Sequence, residues 1–105
     1  MPIKVADGLP AKEILRQERI FALEEEVASN RYMDAFRAGF VSMKMAQNIL
    51  VIRTVSGMAG SVAAALDAMD FTEIVGSIAG DDTIMCAIGS VEETKSLMEK
   101  IEAVL

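Results

Sequence analysis

Residues 74–88 carry the sequence IVGSIAGDDTIMCAI. Two short apolar runs in this stretch flank Gly80, Asp81 and Asp82, which favour a turn because glycine permits unusual backbone angles and aspartate hydrogen-bonds to its own backbone. Apolar runs of this length, bounded by turn residues, are typical of strands buried on both faces rather than of an amphipathic helix. The stretch therefore predicts a β-hairpin with two adjacent carboxylates at its tip.

The acidic tip admits three interpretations. Asp81 and Asp82 can serve only to form the turn. They can also bind a cationic ligand, because they lie between apolar strands and no lysine or arginine occurs within several residues of them. A metal site is the weakest of the three, since hard cations require several more oxygen ligands at loop spacing and the sequence shows none.

Composition limits the class of protein. A chain of 105 residues suits one domain with a modest core, or a small domain plus an extension. Because 52% of its residues are hydrophobic and only 5% are aromatic, the core is predicted to consist of aliphatic residues and methionine. No apolar run approaches the roughly 18–20 residues of a membrane span, and no signal peptide is recognisable, so a cytoplasmic protein without a membrane partner is expected.

The residues that are missing exclude several kinds of catalysis. The chain has no histidine, which removes imidazole acid–base chemistry and the Ser-His and Cys-His nucleophile pairs. Cys86 is the only cysteine, so an intrachain disulfide is excluded, and its apolar surroundings predict a core position. We therefore expect neither an enzyme nor a bound cofactor or metal.

The charge distribution argues against nucleic-acid binding. Residues 1–31 hold 5 basic and 6 acidic side chains, and residues 32–105 hold 5 and 10, which gives net charges of −1 and −5 and the total of −6. Neither part has the basic surface needed to neutralise phosphates. This chain alone is expected not to bind nucleic acid.

Residues 1–31 and 32–105 differ in pattern and are predicted to form a leader and a domain. The leader begins with turn-forming Pro2, Gly8 and Pro10, and residues 11–18 can form a short helix. In the domain we predict a strand over 35–43, a turn over 44–48, a strand over Ile49–Thr54, a helix over 57–69, the hairpin, and a last helix that runs toward Val104. Ser90 and Glu93 have the spacing of a capping box at the start of that helix.

This order predicts an α+β fold of ββαββα type, in which two helices cover one face of a four-stranded antiparallel sheet. Two of the strands are apolar on both faces, and residues 32–105 offer no further element to cover the second face. Because exposed apolar patches usually mark interfaces, self-association is expected.

The leader resembles the start of the homoserine O-succinyltransferase family. The resemblance covers residues 1–26 and lies in MPIKV (1–5), LPAK (9–12) and ERIF (18–21). It implies no activity, because that family's catalytic cysteine, histidine and glutamate lie far downstream and this chain has no histidine. A fused or borrowed leader is the natural hypothesis.

Residues 32–105 resemble the C-terminal domain of the arginine repressor family. The motifs are NILVIRTVSGMA (48–59), AALDAM (64–69) and IVGSIAGDDTI (74–84), which occur in the same order. The resemblance implies a domain that forms trimers, pairs them into hexamers and binds L-arginine at the trimer–trimer interface. It also implies that Asp67, Asp81 and Asp82 contact the arginine, and that Ser77 and Ala79 lie on the strand that lines the pocket.

Two departures from the family bear on function. A glutamine frequent early in the family's first helix corresponds to Gly60, which shares a helix face with Asp67 seven residues later. The family's winged-helix DNA-binding domain is expected to be absent, with the unrelated leader in its place. The main hypothesis is an L-arginine-sensing oligomerisation domain of a transcriptional regulator of arginine metabolism, including arginine biosynthesis, that lacks its DNA-binding domain. The alternative is a purely structural assembly module with a lapsed ligand site, and acyl transfer inherited through the leader is remote.

Overall fold

The computed structural model describes residues 31–105, which form an antiparallel sheet with helices packed on one face. Residues 31–39 are helical (α1). The other elements are β1 (Phe40–Ala46), β2 (Ile49–Thr54), α2 (Ala59–Ala68), β3 (Ile74–Ala79), β4 (Thr83–Ile88) and α3 (Val91–Val104). Residues 1–30 of the predicted leader, including its helix over residues 11–18, lie outside the described residues.

The sheet has the strand order β1-β2-β4-β3, and every neighbouring pair is antiparallel. The central strands β2 and β4 are therefore distant in sequence but adjacent in space. Their register places Leu50 opposite Cys86 and Ile52 opposite Ile84, and all four side chains are buried. The predicted α+β fold with a four-stranded antiparallel sheet is confirmed.

The hydrophobic core lies between the inner face of the sheet and the helices. α2 and α3 present buried residues to the sheet at helical spacing, and α1 adds one large side chain. The core consists of Phe36, Leu50, Ile52, Ala59, Val62, Ala63, Ala65, Leu66, Ile84, Cys86, Ile88, Leu97 and Ile101. The prediction that Cys86 is a core residue is confirmed.

The ends of the helices follow local backbone chemistry. α3 begins as predicted, because the Ser90 hydroxyl accepts a hydrogen bond of 3.1 Å from the backbone N–H of Glu93. α2 begins at Ala59 rather than at Gly57, since Gly57 has φ +79° and this left-handed conformation cannot continue into a right-handed helix. Gly57 therefore belongs to the turn that precedes α2.

The predicted strand over 35–43 is wrong in its first half. Residues 35–39 are the end of α1, and β1 starts only at Phe40. Phe36 in α1 and Phe40, the first residue of β1, have ring centroids 5.6 Å apart. The observed turn is also shorter than the predicted turn over 44–48, because β1 continues to Ala46 and only Gln47 and Asn48 form the turn.

Helix α1 is joined to the rest of the domain by packing and by one hydrogen bond. Phe36 is fully buried in the core. Arg37 Nε donates a hydrogen bond of 3.0 Å to the carbonyl oxygen of Val104 at the end of α3. Because α3 has no basic residue in its last turn, Arg37 supplies the positive charge that favours a helix C-terminus.

The outer face of the sheet carries an apolar surface that we call the outer patch, formed by Ile49, Val51, Ile78, Met85 and Ala87. The register places these side chains on the sheet face that points away from the core. On this face Ile78 is 78% exposed and Met85 is 50% exposed. No helix of residues 31–105 packs on this face, and none of them is long and apolar enough to cross a membrane.

An ion pair between buried Glu73 and half-exposed Lys100 joins the loop before β3 to helix α3. The Glu73 carboxylate is almost fully buried, lies 2.6 Å from Lys100 Nζ and accepts a longer hydrogen bond from Ser96. The hydrogen bond from Lys100 holds the pKa of Glu73 below its ordinary value, with a further lowering from the backbone, although burial acts in the opposite direction.

The first prediction concerns the close approach of Gly39 to α2. A Cβ at Gly39 would lie 2.5 Å from Val62 Cγ2, so Gly39→Ala should destabilise the domain by about 1–3 kcal/mol through overpacking. Gly60→Ala is the control, because no atom lies within 4 Å of that Cβ and alanine favours a helix. Urea unfolding measures both, and an equal effect of the two substitutions would contradict the packing described.

The second prediction concerns acid stability. Since the folded-state pKa of Glu73 is lowered, its contribution is fully present above the unfolded value of about 4.3 and is lost as the pH falls through the folded value. Glu73→Gln should therefore lower the melting temperature near pH 7, and the difference from wild type should shrink as the pH falls below about 4. Exposed Glu99→Gln is the control and should show no such convergence.

Candidate functional site

The hairpin tip between β3 and β4 is held by three backbone hydrogen bonds. The Gly80 N–H donates to the carbonyl of Thr83 at 2.8 Å and closes the turn. The Thr54 N–H, at the end of β2, donates to the Asp82 carbonyl at 2.7 Å, and the Ala59 N–H donates to the Asp81 carbonyl at 3.1 Å. The tip is therefore fixed against both β2 and the first residue of α2.

The two carboxylates of the tip have different surroundings. The Asp81 carboxylate accepts a hydrogen bond of 3.1 Å from the Ser56 hydroxyl in the turn before α2. The Asp82 carboxylate accepts one of 2.9 Å from the Thr83 hydroxyl through Oδ1, while its Oδ2 lies 3.9 Å from Arg53 Nη2. Asp81 is exposed, and the Asp82 side chain is half-exposed. Both carboxylates therefore keep acceptor positions open to an incoming donor.

Ser56 and Arg53 are contacts of the tip that the sequence did not predict. No lysine or arginine is close to Asp82 along the sequence, but Arg53 is close to it in the fold. The reason is that β2 pairs with β4, which places Arg53 opposite Thr83. Pairing the two most apolar strands, β2 and β4, would have predicted the contact with Arg53, because this pairing places the end of β2 beside the hairpin tip.

The other predicted site residues are distributed along helix α2 and strand β3. Gly60 lies one residue after the Ala59 contact and faces open space. Asp67 is seven residues further along the helix, which corresponds to roughly 10 Å at about 1.5 Å per residue. It is exposed and lines a shallow depression with Asp70, Phe71 and Val75. The structure thus places Gly60 beside the tip and Asp67 at the opposite end of α2.

Ser77 and Ala79 lie on β3, the edge strand next to α2. They are paired with Cys86 and Ile84, which point to the helix side of the sheet, so Ser77 and Ala79 occupy that side as well. Both positions lie between the Asp67 depression and the hairpin tip along the edge of the sheet. The six predicted residues therefore lie on three neighbouring parts of the fold, namely the tip, α2 and β3.

Cys86 does not take part in chemistry at this site. Burial, and secondly the negative charge of Asp67, raise the pKa of its thiol to about 11, so the nucleophilic thiolate is scarce at neutral pH. Within residues 31–105 no group of three or more histidine, cysteine, aspartate or glutamate side chains is arranged to hold a metal ion. The acidic groups of the described site are the carboxylates of Asp67, Asp81 and Asp82, which are hydrogen-bond acceptors when ionised.

These features define a small α+β domain in which helix α1 precedes elements of ββαββα order, with an acidic hairpin tip between β3 and β4. A family model described as "Arginine repressor, C-terminal domain" matches residues 36–103. The chain belongs to this family.

Individual relatives agree with the family model. The chain is 57% identical over 82 residues to the arginine repressor of Lachnoclostridium phytofermentans and 55% identical over 82 residues to that of Lachnospira eligens, in each case covering 78% of this chain and 54% of the relative. It is 42% identical over 81 residues to the arginine repressor of Acetivibrio thermocellus, covering 77% and 53%. The chain thus spans about half the length of the curated relatives it matches.

Family membership confirms the resemblance recognised in residues 32–105. It also confirms that the chain is no enzyme, because the arginine repressor family consists of transcription regulators.

Proposed function

We propose that this chain contributes an L-arginine-sensing oligomerisation domain to a regulator of arginine biosynthesis. The observation that carries the proposal is the hairpin tip, where Asp81 and Asp82 are held by backbone hydrogen bonds while their carboxylates remain accessible. The names of the relatives support the same ligand and role. A cytoplasmic location belongs to this proposal.

Carboxylates suit arginine because a guanidinium presents paired N–H donors that match the two oxygens of one carboxylate. Such charge-assisted hydrogen bonds are roughly twice as strong as neutral ones. L-arginine also carries an α-ammonium at its other end. Two acidic positions, one at Asp81 and Asp82 and one at Asp67, therefore suit a ligand with two separated cationic groups.

The remaining members of the proposed site contribute shape rather than charge. Gly60 leaves space beside the tip, since no atom lies within 4 Å of a Cβ placed there. Ser77 and Ala79 are small residues on an edge strand, so a ligand can approach the backbone between the tip and Asp67.

We also propose that the domain assembles through the outer patch into trimers, which pair into hexamers. Support comes from the exposure of Ile78 and Met85 on a sheet face that no helix of residues 31–105 covers. Removing such apolar area from water stabilises an assembly by about 25 cal/mol per Å² before the entropic cost of association. If arginine binds between subunits, binding and assembly are thermodynamically linked.

A second candidate function is a structural assembly module that has lost its ligand. The observation that favours it is Gly60, which provides no side chain to contact a ligand at the start of α2. This alternative retains the outer patch and self-association but predicts no response to arginine.

The third prediction tests the ligand. L-arginine at about 100 times its Kd should stabilise the assembly by roughly 2.7 kcal/mol per site, seen as a rise in melting temperature. Asp81→Asn and Asp82→Asn should abolish this rise and leave the fold intact, because asparagine also supports a turn. Asp34→Asn, an exposed carboxylate on α1, is the control and should respond like wild type.

Citrulline should stabilise the assembly less than arginine because it lacks the positive charge. Lysine should also stabilise it less, because its ammonium lacks the planar pair of N–H donors that matches a carboxylate. If added arginine changes neither the melting temperature nor the oligomer mass, arginine sensing is refuted. The structural assembly module is then the function.

The fourth prediction tests the assembly. Ile78→Glu places a charge in the outer patch and should convert the oligomer to a monomer in analytical ultracentrifugation, because burying an unpaired charge is costly. Leu105→Glu adds the same charge at an apolar residue that is 50% exposed but directly follows α3, away from the outer patch, and it should leave the mass unchanged. A wild-type chain that sediments as an 11.3 kDa monomer would contradict the proposed assembly.

A further inference from the structure

Met85 is the most accessible sulfur-containing residue of the described chain. Residues 31–105 contain seven methionines, and six of them are at least partly buried, whereas Met85 is 50% exposed. Its neighbour Cys86 points into the core and is fully buried. Because an oxidant in solution reacts with the sulfur atoms that it can reach, Met85 is the methionine of residues 31–105 that is most open to oxidation.

Met85 also lies at the centre of the outer patch. It occupies the inner strand β4, and the register places Val51 of β2 on one side of it and Ile78 of β3 on the other. Together with Ile49, Ile78 and Ala87 it lines an open depression of about 420 Å³. A second subunit that packs on this face therefore covers the Met85 thioether with apolar atoms.

A peroxide converts this thioether into a sulfoxide. A lone pair on Met85 Sδ attacks one peroxide oxygen, the S–O bond forms as the O–O bond breaks, and the leaving hydroxide takes up a proton to become water. The sulfur loses two electrons and the peroxide is reduced. The product is a polar side chain with a strong hydrogen-bond acceptor in place of a flexible apolar one.

A sulfoxide at this position opposes the packing of a second subunit. In the free subunit it stays in contact with water, because Met85 points away from the core, so the fold loses little. In an assembly it is buried against apolar side chains, and the other residues of the outer patch carry no side-chain donor to satisfy it. Burying such a polar group without a partner raises the dissociation constant of the assembly by roughly 5- to 150-fold.

We propose that Met85 is a peroxide-sensitive modification site, whose oxidation to the sulfoxide prevents assembly through the outer patch. This inference rests on the proposed assembly and adds a reversible chemical control to it, because methionine sulfoxide is reduced again by dedicated reductases. The linkage is reciprocal. A second subunit shields Met85 from solvent, so assembly should slow the oxidation just as oxidation weakens the assembly.

Hydrogen peroxide treatment of the full chain, at a protein concentration near the dissociation constant of the oligomer, tests the proposal. Among the methionines of residues 31–105, peptide mass analysis should find the added oxygen on Met85 first, with Cys86 of the same peptide unmodified. Sedimentation of the same samples should show the oligomer converting to smaller species as the sulfoxide accumulates. Methionine sulfoxide reductase with dithiothreitol should restore the oligomer, and circular dichroism should show an unchanged fold throughout.

Met85→Leu lacks the reactive sulfur and keeps an apolar side chain of similar size. Compared with its own untreated sample, this variant should keep its sedimentation profile under peroxide. Met98→Leu is the matched control, because Met98 is a partly buried methionine of α3 that packs against the core. Its assembly should respond to peroxide as that of wild type does.

The outcomes separate this inference from the proposed assembly. If the untreated chain is an oligomer and stays one after Met85 is oxidised, the control by Met85 is refuted and the assembly stands. The same holds if Met98 is oxidised before Met85, or if Met85→Leu loses its assembly under peroxide as wild type does. If the untreated chain is a monomer, the proposed assembly is refuted and this inference with it.

Discussion

The pairing of β2 with β4 is the interaction on which the rest of the domain depends. It joins two strands that are separated in sequence by α2 and β3, and it buries Leu50 and Ile52 against Cys86 and Ile84 at the centre of the core. The same pairing brings the hairpin tip to the end of β2, where the Thr54 N–H holds the Asp82 carbonyl. The stability of the core and the position of the acidic pair therefore have one common cause.

Successive side chains along β2 and β4 point to opposite faces of the sheet, and the two faces differ in their surroundings. The inner face is covered by helices, while the outer face leaves apolar side chains beside Arg53. The hairpin tip lies at one end of the same sheet, so a subunit packed on the outer face would lie close to the carboxylates. This geometry provides a physical route by which assembly and ligand binding influence each other.

Much of the architecture could be predicted from the sequence because short-range patterns determine it. The apolar runs on either side of Gly80, Asp81 and Asp82 gave the hairpin, and Ser90 with Glu93 gave the start of α3. Helix α1 was missed because Phe36 and Phe40 fit a strand equally well in so short a segment. Tertiary packing against Val62 and the close approach at Gly39 decide in favour of the helix.

The candidate site was less predictable, because its environment comes from residues distant in sequence. The acidic pair was evident as sequence, but Ser56 and Arg53 reach it only through the pairing of β2 with β4. The separation of Asp67 from the tip along α2 follows from helix geometry, whereas its place beside Phe71 and Val75 required the folded chain.

A crystal structure of the chain grown with L-arginine would show where the ligand lies relative to the hairpin tip. We expect the guanidinium within hydrogen-bond distance of the Asp81 or Asp82 carboxylate, with the ligand lying between subunits. Arginine bound elsewhere on the domain, or a hairpin tip that stays empty at saturating arginine, would contradict it.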